Sequence, residues 1–431
     1  MSARDAALVQ LDARSLPNWP GGALRRHASA SLTDPRDVGL AEQIVQGVLK
    51  NLLLLQYLTE HYSARALRKI DPLAQKVIAI ALYQLRFLDR IPASAAVDEA
   101  VEQMKRFGHA QAAGFVNAVL RKATRDPTPP LPARGEDAEA FAEVVLSHPA
   151  LLFQRLQKLL GTDDALAFCE HDNRESPTLL RMIGGASIDQ LRQDAPSGVT
   201  LEPHEQSGIC VVAGAKRSLL AAWAKRGMAQ VQDATAAGVG ALSRIEPGQT
   251  VLDRCCGLGT KTLQLHEMMR GQGRLVAMDP NGERCARLRE LIAERGLANI
   301  EVHQAGWLKD VPELREVEFD RVLVDAPCSN SGVLARRAEA RYAQADTAMA
   351  SLIKLQRRIL RDSMAQVRAG GLLIYSTCSV WREENQEIVA EMLRDRSGFE
   401  MEAERVTLPS FGTDPARYRD GGYVAALRRR G

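Results

Sequence analysis

At 431 residues the chain is too long for one ordinary core, so two or three domains are expected. A composition of 45% hydrophobic and 25% charged residues is that of a globular protein, and no run approaches the roughly 20 apolar residues a bilayer crossing needs. A formal net charge of +3 selects no class of partner by itself.

Residues 1–126 read as almost all helix. Amphipathic stretches run from about Arg36 to Thr59, Pro72 to Leu88, Ala93 to Phe107 and Gln111 to Arg125. Asp71-Pro72 predicts a helix start, while Gly39 and Gly47 read as tolerated blemishes. Pro127 to Gly135 carries four prolines and predicts a linker, taken as 127–136. A second unit is expected over 137–226, opening with a helix from Ala138 to Leu160 and continuing as mixed α/β.

Over 227–431 strands alternate with helices, the signature of a doubly wound α/β sheet. Thr250–Asp253, Arg274–Asp279 and Ile300–His303 read as strands. Helices are predicted from about Lys261 and over Gly282–Arg295, with a further one over Leu352–Arg368 stopped by Gly370-Gly371. Two more segments, Val322–Ser329 and Leu372–Ser379, each read as an apolar strand running into a polar turn that bears a cysteine, Cys328 or Cys378. Ligands collect at such carboxyl strand ends. A cysteine there can add to an electron-poor carbon as thiolate.

Seven cysteines with no CxxC pair argue against a disulfide framework or a zinc site, so no metal is expected and a reducing cytoplasm is the expected compartment. The N-terminus shows no apolar signal core, and no membrane partner is expected. Cys169, Cys210, Cys255, Cys256 and Cys285 read as fillers, and His266 and His303 as ordinary histidines. Lys354, Arg357, Arg358 and Arg361 share a helix face, Arg336 and Arg337 follow the first cysteine loop, and Arg428 to Arg430 end the chain. Each cluster alone reads as a solvated face or a basic tail; beside a catalytic loop they favour a polyanionic substrate.

Asp253 leads into Cys255-Cys256-Gly257-Leu258-Gly259-Thr260-Lys261, a turn in which two glycines let the backbone approach a ligand. Asp279 ends the next strand, where a carboxylate can accept from ribose hydroxyls. The spacing is neither a phosphate loop nor GxGxxG, because position 262 is Thr262. A nucleoside without a pyrophosphate, such as S-adenosylmethionine, fits better than a dinucleotide.

Asp253 to Thr262, Asp325-Ala326-Pro327-Cys328-Ser329-Asn330-Ser331-Gly332-Val333, and Tyr375-Ser376-Thr377-Cys378-Ser379 through Glu383-Glu384-Asn385 resemble, in order and spacing, the Sun/Fmu-type RNA cytosine-C5 methyltransferases. The stretches Ala81–Leu85, Ile91–Val101 and Gly114–Arg121 resemble a NusB-type helical RNA-binding domain, and the combination is the arrangement of bacterial 16S rRNA cytosine-C5 methyltransferases. The resemblance implies a Rossmann-like class I methyltransferase domain, S-adenosylmethionine as cofactor, 16S rRNA as partner and a monomer.

It further implies Cys378 as nucleophile at cytosine C6, Asp325 as the group that hydrogen-bonds N3 or the amino group, and Cys328 as helper in C5 proton removal or product release. Donation from Asp325 to N3 requires a protonated carboxyl. Residues 255–261, Asp279 and Asp325 would hold the cofactor, with Lys261 steering a carboxylate of the cofactor or of Asp325. Two departures stand out: the loop lacks the family's Pro-Gly-Gly-Lys, and Gly306 stands where the family carries an adenine-binding Asp, a loss that Trp307 or Asp310 would have to compensate. DNA C5 methyltransferases use the Pro-Cys cysteine, here Cys328, as nucleophile, so the roles could be swapped. Rival readings are a tRNA substrate, an RNA-binding antitermination factor without turnover, and a small-molecule methyltransferase.

Overall fold

Asp71 and Pro72 start a helix as their chemistry dictates: the Asp71 carboxylate accepts from the backbone N–H groups of Leu73 and Ala74, and the helix runs Pro72–Phe87. The computed structural model describes residues 2–14, 16, 19, 32–395 and 398–431. The chain divides into two compact units, 1–173 with 337–345 and 174–336 with 346–431. The segment expected as a middle unit over 137–226 is thus divided: residues through Asn173 fall in the first compact unit, and those from Arg174, with all four strands of the segment's sheet and two further helices, fall in the second.

In the first unit, Ala3–Asp12, Pro35–Lys50, Leu52–Ser63, Pro72–Phe87, Ala93–Arg106 and Ala110–Arg125 pack around Leu11, Val48, Leu55, Val77 and Leu120. Lys76 is fully buried and pairs with Asp12 at 2.6 Å. The single helix expected over Arg36–Thr59 is two helices bent by 80° around Asn51. The i→i−4 bond that would have run from Leu53 to Leu49 is replaced at both ends. Leu53 donates its N–H to Ser147 Oγ at 2.7 Å, and the Leu49 carbonyl accepts from the Tyr342 hydroxyl at 2.8 Å. Gly47 is needed rather than tolerated, since a Cβ there would fall 1.9 Å from the Tyr83 ring.

The helix expected over Ala138–Leu160 is also interrupted. A short turn at Ala138–Ala140 runs into a π-helical turn at Phe141–Val145, Ser147 takes a left-handed φ of 59°, and the helix proper is Ala150–Leu160. Pro149, which has no N–H to offer the preceding turn, precedes it.

The second unit contains two sheets. The smaller is antiparallel, from β1 (Thr178–Met182), β2 (Thr200–Pro203), β3 (Ile209–Ala213) and β4 (Ala229–Val231), in the order β2-β3-β1-β4. Leu180, Val212 and Trp223 sit in its core.

The larger comprises β5 (Thr250–Asp253), β6 (Arg274–Asp279), β7 (Ile300–Gln304), β8 (Phe319–Asp325), β9 (Val367–Thr377), β10 (Phe399–Thr407) and β11 (Gly422–Arg429). Its order is β10-β11-β9-β8-β5-β6-β7, with β11 antiparallel to both neighbours and β9 through β7 parallel. Helices Thr260–Met268, Gly282–Arg295, Asp346–Met364 and Gln386–Asp395 belong to this region. The larger sheet with its helices is therefore the open α/β fold read from the alternation of strands and helices, and an all-helical region precedes it in the chain.

One helix end differs from expectation. Asp346–Met364 stops before the glycines, and Gly370-Gly371 lie inside β9. The ladder pairs Phe319 with Val367 and then Arg321 with Leu372, so the glycines loop out of the strand, Gly370 with φ of 71°. The basic C-terminus is not a tail among the described residues either. Arg428 pairs with Glu402 at 2.6 Å and Arg430 with Glu400 at 3.2 Å across β11 and β10.

Candidate active site

The strand order reverses between β5 and β8: β6 and β7 extend to one side, β9 and β11 to the other. Such a switch point leaves a crevice at the carboxyl strand ends. Asp253, Asp279, Asp325 and Thr377 are the last residues of β5, β6, β8 and β9, so four motifs distant in sequence meet at one edge.

At β5 the loop closes tightly. Cys256 donates its N–H to the Met278 carbonyl at 2.9 Å, and Gly259 donates to the Cys256 carbonyl at 2.9 Å. Gly259 has φ of 88°, and a Cβ there would lie 2.3 Å from Leu288. Burial pushes the Cys255 thiol up to about 12 and raises the Cys256 thiol further, so neither is a reactive group. Leu258 is exposed at the tip, and Thr260 opens the helix that carries Lys261. Asp279 is buried, and its carboxylate accepts from the N–H groups of Gly257 (3.1 Å) and Asn281 (2.9 Å), which locks the glycine loop onto β6.

Asp253 is fully buried. Its Oδ2 accepts from Thr262 Oγ1 at 2.7 Å, Oδ1 has no partner, and burial pushes the carboxyl up to about 7. Two glycines, an orphaned buried oxygen and open space at Gly306 suit a nucleoside with a polar tail better than a phosphate, which would want cations and free N–H groups. The expected cofactor residues are compatible with S-adenosylmethionine. The Gly306 carbonyl accepts from Arg254 at 2.7 Å, while Trp307 has the Arg358 guanidinium stacked 3.7 Å from its ring centre and Asp310 is exposed.

The two cysteine loops meet. Cys328 Sγ lies 3.1 Å from Cys378 Sγ, and both thiols are free. The hydrogen bond to Cys378, then burial and the Cys378 charge, raise the Cys328 thiol well above its ordinary value. Asp325 stands beside them with Oδ2 held by Lys261 Nζ at 2.7 Å and Oδ1 accepting from Ser376 Oγ at 2.7 Å. The remaining cysteines stay out of the chemistry: Cys169 and Cys210 are buried with raised thiols, and Cys285 is buried beneath Asp279. Two of the four cations on the basic face of Asp346–Met364 are paired with carboxylates, Arg357 with Glu391 at 2.7 Å and Arg361 with Asp395 at 3.5 Å.

Three contributors carried no role in the sequence reading. Asn330 adopts φ of 61°, donates from Nδ2 to the Cys328 carbonyl at 3.1 Å, and accepts from Cys378 Sγ at 3.2 Å. Ser376 fixes Asp325, and Glu384 is wholly buried between the two loops. The available signal was an Asn, a residue that tolerates left-handed backbone, two positions after Pro-Cys.

Residues 241–418 match the family model described as 16S rRNA methyltransferase RsmB/F, and residues 1–125 match the NusB family. Ribosomal RNA small subunit methyltransferase B of Pseudomonas putida is 30% identical over 384 residues, covering 86% of this chain and 84% of the relative. Its namesake in Vibrio cholerae is 31% identical over 368 residues, covering 82% and 80%. The chain belongs to the RsmB family of rRNA methyltransferases. The family accounts for both the NusB-type region and the sheet domain, and membership in a methyltransferase family implies S-adenosylmethionine as the methyl donor. The solved structure of PH0851 has the same fold, with a TM-score of 0.78 at 22% identity, covering 93% of this chain and 92% of that one.

Proposed function

We propose that this RsmB-family enzyme methylates C5 of a cytosine in 16S rRNA through a covalent adduct between Cys378 and C6. The observation that carries the reading is the pair of sulfurs 3.1 Å apart beside a doubly held Asp325. C5 of cytosine is a poor nucleophile. Attack of the Cys378 thiolate on C6 forms the S–C6 bond and pushes the ring electron pair toward N3, leaving C5 enamine-like. Asp325 accepts from the exocyclic amine or, carrying a proton, donates to N3. S-adenosylmethionine, when bound, supplies the electrophilic methyl group for C5.

The C5 proton must then leave. While Cys378 bears charge, its hydrogen bond and that charge keep the proton on Cys328. Once Cys378 is a thioether, that hold is gone, and Cys328 can lose its own proton to solvent and take the one from C5. The C5=C6 bond re-forms, the S–C6 bond breaks, and Cys378 leaves as thiolate. An unstacked loop nucleotide makes base presentation cheapest. A factor without turnover is disfavoured, because both thiols, Asp325 and Lys261 sit within one constellation.

The test is alanine substitution at each cysteine with trapping on 5-fluorocytosine RNA. Wild type and Cys328→Ala are expected to form the adduct and Cys378→Ala to form none. The reverse pattern would assign the nucleophile to Cys328. Bisulfite sequencing of 16S rRNA from a deletion strain and its parent reads the modified position, and an unchanged pattern there would overturn the substrate.

A further inference from the structure

We infer that Glu384 is a positioning residue for the reaction: its buried carboxylate ties the loop bearing Cys328 to the loop bearing Cys378 and so sets the approach of the two sulfurs. The inference rests on the two-thiol reading above. Glu384 belongs to neither cysteine loop; it lies in the 3₁₀ turn Arg382–Glu384 and is 0% exposed.

Its two oxygens reach both loops. Oε2 accepts from Ser329 Oγ at 2.5 Å and from Ser379 Oγ at 2.5 Å, the residues that directly follow Cys328 and Cys378. Oε1 accepts from the Ser329 backbone N–H at 2.9 Å and from Gln356 Nε2 at 2.9 Å. The same Gln356 amide donates to the Pro327 carbonyl at 2.9 Å, so the residues on both sides of Cys328 are anchored to this one carboxylate. Four donors fill the acceptor sites that a carboxylate offers. An amide in its place would remove the charge and would require both hydroxyls to turn from donors into acceptors of its N–H groups.

The arrangement also acts on the chemistry and not only on stability. The Glu384 charge is one of the causes that raise the Cys328 thiol, after the Cys378 hydrogen bond, burial and the Cys378 charge. Glu384 therefore favours the protonated form of Cys328 while it holds that thiol against Cys378. A residue serving only the core would do neither.

The experiment compares Glu384→Gln and Ser379→Ala with wild type in the full-length enzyme. Alkylation of each cysteine by iodoacetamide is followed against pH by mass spectrometry, and kcat and KM are measured on 16S rRNA. The expected result for Glu384→Gln is a Cys328 alkylation midpoint moved to lower pH and kcat reduced tenfold or more, with KM for S-adenosylmethionine within twofold. A wild-type Cys328 profile with wild-type kcat would overturn the proposal. Should Glu384→Gln fail to fold, Ser379→Ala decides, because it removes one arm and keeps the charge: a tenfold fall in kcat with unchanged cofactor KM supports the clamp, and unchanged kcat refutes it. The alkylation profile uses no RNA, so a failure of the covalent-adduct reading in the trapping experiment remains distinguishable from a failure of the clamp.

Discussion

Lys261 Nζ lies 2.7 Å from Asp325 Oδ2, joining the helix after the cofactor loop to the strand that delivers the first cysteine. With Ser376 Oγ on the other oxygen, the carboxylate has one orientation. A group that must meet one edge of a pyrimidine gains rate from being held there in advance.

Lys261→Met should therefore reduce kcat by roughly 100-fold, the loss expected when a reacting group drifts by about 1 Å. Burial alone would lower the Lys261 ammonium, but Asp325 outweighs it and carries the group above its ordinary value. The contribution of the pair is present below that value and is lost only as pH rises through it. The ratio of wild-type to variant kcat should accordingly be the same at pH 7 and pH 9, and a kcat within threefold of wild type would refute the role.

Gly306 stands where the resemblance implies an adenine-binding carboxylate, and a Cβ built there meets nothing within 4 Å. Gly306→Asp should fit without rearrangement and restore a hydrogen bond to the adenine amine. Such a bond contributes about 1 to 2 kcal/mol, or roughly tenfold in affinity. Calorimetry with S-adenosylmethionine measures it. An unchanged Kd would mean the adenine is held from elsewhere.

Asp253 carries a carboxyl pushed up to about 7 by burial. The folded state holds the proton that the unfolded chain releases near its ordinary value of 3.8, so stability falls as pH rises from about 4 to about 7. A displacement of this size corresponds to about 4 kcal/mol. Asp253→Asn keeps an acceptor for Thr262 and has no proton to lose, so its stability advantage over wild type should grow between pH 5 and pH 8. Denaturant unfolding at both pH values reads this directly, and a difference that does not vary with pH would count against it.

Lys76 and Asp12 form a buried pair in the helical unit. Asp12→Ala removes a charged hydrogen-bond partner from the buried Lys76 ammonium and should destabilise that unit by about 1.5 to 3 kcal/mol. Differential scanning calorimetry should show its transition shifted down while the transition of the sheet unit stays in place. A shift below 1 °C would refute the contribution of the pair.

The sequence by itself determined the parts whose causes are local. Asp71-Pro72 starts a helix because a carboxylate and a missing N–H act within one turn, and β5, β6 and the helix Gly282–Arg295 follow from periodicities that any neighbouring layer would respect. The Asp-Ala-Pro-Cys and Thr-Cys-Ser turns were likewise legible as cysteine-bearing strand ends. What only the tertiary structure decided depends on partners distant along the chain. The bend at Asn51 exists because Ser147 and Tyr342 take the N–H and carbonyl that a continuous helix would have paired. Gly370-Gly371 loop out of a strand rather than end a helix because β8 claims the residues on either side. The 3.1 Å between Cys328 and Cys378 depends on the strand order that sets β8 beside β9, and hydrogen bonds that span 50 and 55 residues leave no periodicity to read.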